Sequence, residues 1–521
     1  MDPGSALQQF LQPLQVNNHK IHTLSSLFYS NFRHLAIHAF DQFLPTPISE
    51  SILRPVSQAG HGSGGTNLRV GFVELNPRNP QDDDAPNGRP QTNGDSPSLH
   101  IHERSWPIDD RLKANGGSDS DPQALFDWIG ARIAEVVRSA SPAPSSSEPL
   151  PLGITFSFPM VQHSISDATV MTMGKGFSMS STTSLGDLLL RGYEKSRSKD
   201  LPPLTIAAIS NDSVSTLISF IYLFPESASR KASMGLILGT GCNATVPLKL
   251  SLLGPEKRPD SVSTLVGESA AASSLNDVRI AVNTEWSIRG TAPPLRELGL
   301  ITKWDAALDA ALVGPNEIAG FQPLEYMTAG RYLGELGRLM LLDYLGSVLR
   351  VDPSLLPPSL LARYALSTTF LSHFRPLDPP ALLPKLEAEF PTDGTDFVWT
   401  EEMAAALYHI AKAIELRAAG IIAAGIVALL KLAGDVPPPS SVNNDSATTI
   451  RELGVGYTGG CISHFQDYLA DTQAFLDDIV KLEYDGKPSP VRVVLSPCHD
   501  GGIKGAGILA AATGASEKRE T

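Results

Sequence analysis

Asp212 stands in Ser210-Asn211-Asp212-Ser213, directly after the apolar run Leu204–Ile209. A carboxylate at a strand end, beside an amide that both donates and accepts, suits a general base acting on a hydroxyl. The same aspartate reads equally well as the N-cap of a helix over Ser213–Leu223. Three glycine clusters also follow apolar runs. They are Gly62-Ser63-Gly64-Gly65-Thr66-Asn67-Leu68-Arg69, Gly239-Thr240-Gly241-Cys242-Asn243, and Gly454–Gly460, with Gly501-Gly502-Ile503-Lys504-Gly505 opening the last helix. Glycine lets main-chain N–H groups approach an anion, and a helix N-terminus adds positive potential. One such cluster is as well explained by a tight turn. None has Walker A or Rossmann spacing, but three after strands point to a nucleotide cradle.

Lys175, between Gly174 and Gly176, can reach a ligand oxygen or simply be an exposed loop lysine. Glu285 and Glu325 sit beside Trp286, Leu324 and Tyr326. They can accept bonds from sugar hydroxyls or be solvated element ends. His163, His409, His464 and His499 show no metal-ligand spacing.

The elements that must hold these residues alternate. Leu68–Leu75, Pro151–Phe158, Leu204–Ser210, Ala232–Leu238, Val278–Glu285, Ile450–Tyr457 and Val491–Leu495 read as strands. Ala124–Arg138, Leu324–Leu349 and Glu401–Leu432 read as helices, the latter two long. Asn76–Leu99, Asn115–Pro122, Ser139–Pro151 and Pro437–Thr449 are poor in apolar residues and read as loops. Strands followed by polar turns and helices predict an α/β architecture with its chemistry at strand ends.

The chain has 521 residues, enough for two large lobes or a few smaller domains. Hydrophobic residues are 42% and charged residues 18%, which excludes wholesale disorder. A net charge of −14 argues against general binding to nucleic acid or anionic membrane. Cys242, Cys461 and Cys498 are too few and too dispersed for a disulfide framework, so a reducing, cytoplasmic setting is expected. The most apolar run, Ala418–Leu430, is shorter than the ~20 residues of a spanning helix. It is expected to be a core helix in a soluble protein.

Leu152-Gly153-Ile154-Thr155-Phe156-Ser157-Phe158-Pro159-Met160 resembles the hexokinase signature. The likeness continues in family order through Lys175-Gly176-Phe177, Asn211-Asp212, Gly239-Thr240-Gly241-Cys242-Asn243-Ala244, Asn283-Thr284-Glu285-Trp286 and Glu325 ahead of Gly330-Arg331-Tyr332-Leu333-Gly334. It covers about residues 17–513 and divides them into a small-lobe region, 17–228, and a large-lobe region, 229–513. Phe321–Leu333 and Val455-Gly456-Tyr457 are more similar to fungal N-acetylglucosamine kinases than to glucose kinases.

The resemblance implies a two-lobed fold of the actin-like ATPase and hexokinase type, with sugar and ATP in the interlobe cleft. It implies that Asp212 is the base for the sugar's 6-hydroxyl, with Ser157, Lys175, Asn211, Asn243, Glu285 and Glu325 on the other hydroxyls. Gly64, Gly65, Thr66, Asn67, Arg69, Gly239, Thr240 and Gly241 would wrap the phosphates, and Gly459, Gly460 and Gly505 would border the adenosine. ATP with Mg²⁺ and a small sugar are the implied ligands, with neither nucleic acid nor membrane as a partner, on a monomer or homodimer. The chain departs from the family at Gly62-Ser63, where Asp-Leu is usual, and at Gly174, Ser287 and Thr458.

Overall fold

The computed structural model describes residues 3–50, 60–63, 68–75, 99–109, 112, 123–140, 147–171, 184–224, 227–262, 275–314, 317–392, 396–441, 450–485 and 487–520. Two mixed sheets dominate it. The first uses β2 (Gly60–Ser63), β3 (Leu68–Leu75), β4 (Leu99–Trp106), β5 (Leu150–Phe156) and β8 (Leu204–Asn211), in the order β4-β3-β2-β5-β8. The second has the order β1-β11-β10-β9-β14-β15, from β1 (Leu44–Ser49), β9 (Arg230–Leu238), β10 (Cys242–Lys249), β11 (Arg279–Asn283), β14 (Arg451–Thr458) and β15 (Val491–Pro497). Two ribbons complete the strands: β6 (Met160–Ser164) with β7 (Asp167–Val170), and the two-residue β12 (Val313–Gly314) with β13 (Glu317–Ile318).

Both large sheets repeat one plan. An antiparallel meander, β2-β3-β4 or β9-β10-β11, is flanked on its first strand by two parallel strands, β5 and β8 or β14 and β15. Antiparallel neighbours need only a short turn, whereas parallel ones need a crossover. In the second sheet the short connection between β9 and β10 is the glycine turn Gly239–Gly241. No short sequence repeat announces this duplication.

Between the sheets lies the helix Asp212–Leu223, which contacts β9, β10 and β14 on one side and β8 on the other. Val214, Leu217, Ile218 and Phe220 are buried, and so are Ser213, Ser215, Thr216 and Ser219. A helix apolar on most of its faces, with small side chains on the rest, belongs in an interior. The last helix, Gly501–Glu520, packs against it and covers β2, β3, β5 and β8. The last helix thus joins the lobe built from the early strands, while β1 and the helix Asn18–His38 join the other lobe, the latter against Glu401–Leu432 and Tyr468–Glu483. The two sheets are not consecutive halves of the chain.

The strands predicted near 68, 151, 204, 232, 278, 450 and 491 are all present, as are the helices over 123–138 and 401–432. The 32-residue helix Glu401–Leu432 has the length and apolarity to cross a bilayer, but its most apolar window is 89% buried inside the protein. The long helix expected over 324–349 is broken into Pro323–Thr328, Gly330–Asp343 and a π turn at Tyr344–Val348. Ala329 is extended between the first two, and the N–H groups of Gly330 and Arg331 donate to the carbonyls of Gly239 and Thr240 at 2.8 and 3.1 Å. Those tertiary bonds outweigh helical continuity and turn Glu325 toward the glycine loop.

Candidate active site

A cleft of about 650 Å³ opens where the two sheets meet the N-termini of the Asp212 and Gly501 helices. Asn211, not Asp212, caps the central helix: its Oδ1 accepts from Ser213 N at 2.9 Å and from Ser213 Oγ at 2.7 Å. Its Nδ2 donates to Phe158 O at 3.1 Å. The alternative reading of Asp212 as the N-cap is thereby set aside. Asp212 is the first residue of the helix and lines the cleft, at the positive end of the helix dipole, where a carboxylate is favoured.

Two buried glutamates face the same space. Glu285 Oε1 accepts from Asn243 Nδ2 at 2.9 Å and from Asn283 Nδ2 at 2.8 Å. Asn243 Nδ2 also donates to Asn283 Oδ1 at 2.9 Å, so three side chains from β10, β11 and the turn after it form one triangle. Ser213 Oγ joins it at Asn283 Oδ1, 3.2 Å away, and also pairs with Thr245 Oγ1 at 2.7 Å. This buried chain of hydrogen bonds ties the start of the Asp212 helix to the Glu285 carboxylate. Glu325 Oε2 accepts the N–H of Cys242 at 3.1 Å, which fixes it against the second glycine turn.

Both carboxylates are 7% exposed or less, and each accepts at least one N–H bond. Burial, reinforced by Glu325, pushes the Cys242 thiol well above its usual range, and Trp286 Nε1 donates to its sulfur at 3.2 Å. Cys242 is therefore a packing residue and not a nucleophile.

The cleft's other walls are glycine-rich. Gly239, Thr240 and Gly241 lie on one side, with Thr458, Gly459 and Gly460 beyond them. Gly459 has φ +127°, a conformation that a side chain would strain. Arg69 enters from the first sheet and donates from Nη1 to Asp500 Oδ1 at 2.8 Å.

Ser157, Asp212, Asn243, Glu285, Glu325, Arg69, Gly239, Thr240, Gly241, Gly459 and Gly460 thus share one cleft, with Asn211 beside it. Gly505 is not on its wall. A Cβ there would stand 2.1 Å from Ser215 O, so this glycine lets the last helix touch the Asp212 helix. Lys175, Gly64, Gly65, Thr66 and Asn67, like Gly174 among the departures, lie outside the described residues. Sequence reasoning had assigned no role to Asn283, which lies within the quoted Asn283-Thr284-Glu285-Trp286, nor to His464, His499 and Asp500, which line the cleft. The carboxylate before Gly501-Gly502 was the available signal for Asp500. Ser287, where the family usually has glycine, also faces the cleft.

This arrangement can hold a polyhydroxylated ligand on acceptors and amides at one end and an anion on main-chain donors at the other. Two family models described as hexokinase match the chain, one over residues 6–222 and the other over residues 233–512. Hexokinase-1 of Schizosaccharomyces pombe is 28% identical over 462 residues, 87% of this chain and 79% of that protein. Hexokinase-1 of Nicotiana tabacum is 28% identical over 399 residues, 75% of this chain and 70% of that protein. Among solved structures, a hexokinase from Schistosoma mansoni complexed with glucose superposes with a TM-score of 0.71 at 22% identity, covering 98% of this chain and 100% of that one.

Proposed function

The chain belongs to the hexokinase family, with that family's two-lobed actin-like fold, and we propose that it transfers the γ-phosphoryl group of ATP to the 6-hydroxyl of a hexose. The observation that carries the reading is Asp212 at a helix N-terminus, in one cleft with Asn243, Glu285, Glu325 and two glycine turns. Glu285, Glu325 and Asn243, with Asn211 and Ser157, hold the ring hydroxyls and so aim the 6-hydroxyl. Asp212 accepts its proton as the sugar oxygen bonds to the γ-phosphorus and the bond to the β–γ bridging oxygen breaks. ADP leaves, its charge met by Arg69 and by main-chain N–H groups around Gly239–Gly241 and Gly459–Gly460. Little covalent chemistry falls to the protein, so positioning and charge neutralisation dominate.

Among the described residues no group of three His, Cys, Asp or Glu can hold a metal unaided. Mg²⁺ is usually held by one or two carboxylates plus phosphate oxygens, and the cleft offers Asp212 and Asp500 as such oxygen donors. When bound it supplies charge neutralisation on the β- and γ-phosphates.

N-acetylglucosamine is placed slightly ahead of glucose. Support comes from the Phe321–Leu333 stretch and from Ser287 on the cleft wall. The three buried, unbonded cysteines are in keeping with a cytoplasmic setting.

The test is a coupled assay for ADP with ATP, Mg²⁺ and either sugar. Asp212→Ala is expected to lower kcat roughly 10²–10⁴-fold with sugar affinity much less affected. A second reading, a sugar-binding regulator without turnover, is favoured by Gly62, which lies within β2 where the family usually carries aspartate. Sugar binding with no ADP release, unchanged by Asp212→Ala, would establish that reading instead.

A further inference from the structure

Glu285 holds an unusual backbone. Its φ is +45°, in the left-handed region, although it carries a full side chain. Such conformations persist only where the surroundings over-determine them. The turn it occupies is gripped from a part of the chain some 240 residues earlier. Gln42 is 1% exposed, and its Nε2 donates to Glu285 O at 3.0 Å and to Thr291 Oγ1 at 3.3 Å. Phe43 N donates to Thr284 O at 3.1 Å, and Leu44 pairs with Asn283 in the sheet. Gln42 is itself anchored, because Lys257 Nζ donates to its carbonyl at 2.7 Å. On the far side of the amide, a Cβ at position 290 would stand 1.8 Å from Gln42 Oε1. Gly290 thus leaves the room that the glutamine occupies.

We propose that Gln42 is a positioning residue for sugar binding: its amide N–H locks the Glu285 backbone so that the carboxylate meets the hexose. Glu285 has its carboxylate oxygen fixed by Asn243 and Asn283 and its backbone fixed by Gln42, two restraints from opposite sides. Removing the backbone restraint lets a strained residue relax, and the carboxylate turns with it. Among the described residues Gln42 bonds to Glu285, Thr291 and Lys257 and to none of Gly239–Gly241, so the effect is expected on the sugar and not on the nucleotide. The inference rests on the hexose kinase reading for its ligand.

Gln42→Met keeps the side chain's length and removes the donor. Relaxation of one strained residue is expected to raise the glucose KM about tenfold, with the ATP KM and kcat changed less than about threefold. Thr291→Val removes only the amide's other partner and is expected to leave the glucose KM unchanged. Folding is checked by circular dichroism. If Gln42→Met does not fold, Gln42→Leu, equally unable to donate, carries the same expectation. Glucose binding is also read without turnover, from the fluorescence of Trp286, the residue after Glu285. Wild-type glucose binding with an unaltered constant in the Gln42 variants overturns this inference alone. Absence of glucose and N-acetylglucosamine binding by the wild type overturns the kinase reading, and the inference with it.

Discussion

Asn283 is 2% exposed, donates to Glu285, and accepts from Asn243 and from Ser213. It therefore sets the direction of two cleft side chains without lining the cleft. Asn283→Leu keeps the volume but withdraws one donor and one acceptor, leaving Glu285, Asn243 and Ser213 short of partners. Buried polar groups left unsatisfied cost about 1–3 kcal/mol each, although relaxation here will recover part of that. The expected outcome is a stability loss of that order in urea unfolding, together with a glucose KM raised about tenfold or more. A stable variant with an unchanged KM would show that Glu285 is held by Asn243 and its backbone alone. For Asp212 the loss is expected to appear in kcat instead, since on the proposed reading it acts on the proton and not on the fit of the ring.

Elements were legible in the sequence where local pattern and tertiary need agreed. The apolar run ending in Asn211-Asp212 became a strand and then a helix, and the Ala-rich stretch from Glu401 became one long helix. Leu99–Trp106 was not foreseen as a strand, because Leu-His-Ile-His-Glu-Arg-Ser-Trp is mostly polar and largely exposed at a sheet edge. Only its eight-residue pairing with β3 makes it one. In the site, the residues that line the cleft were readable as types, but the ties among them were not. Gln42 and Glu285, or Ser213 and Asn283, meet only through the fold. The long helix also carries a buried titratable group that no pattern reveals. Glu415 is fully buried, bonded to Lys412 Nζ at 2.7 Å, with its Oε1 lacking a partner among the described residues. Lys412 divides its charge with Asp467 and Asp471 of the neighbouring segment. Burial pushes the Glu415 carboxyl up to about 8, against the opposing pull of Lys412. Between the ordinary carboxylate range and pH 8, the folded chain then keeps a proton the unfolded chain has released. Stability from this group is full in acid and falls as pH rises through that window. Glu415→Gln cannot titrate, so its advantage over wild type should grow with pH, reaching roughly 1–3 kcal/mol at pH 8 in urea unfolding. Parallel pH curves for the two proteins would mean that Glu415 is ionised throughout.

The whole molecule is two similarly built sheets joined by the helices that begin at Asp212 and Gly501. A separate hydrophobic cluster holds this junction, uniting Val73 and Ala208 from one sheet, Ala232 and Ala281 from the other, and Val214, Leu217, Ile503 and Leu509 from the two helices. The lobes therefore share a continuous core at the bottom of the cleft while the cleft's walls belong to different lobes. Ser157 follows β5 of one sheet; Asn243 and Glu285 belong to the other. On the proposed reading, a hexose that bonds both walls would tie the lobes together across the cleft. Such bridging would exclude water from the transferred phosphoryl group and make the sugar a stabilising ligand for both lobes. A ligand at about 100 times its Kd stabilises the native state by about 2.7 kcal/mol. Scanning calorimetry with saturating glucose or N-acetylglucosamine is thus expected to raise the melting temperature by a few degrees, and any two resolved transitions should both move. Movement of one transition alone would place the sugar's contacts on a single lobe, and the bridging account of the cleft would fail.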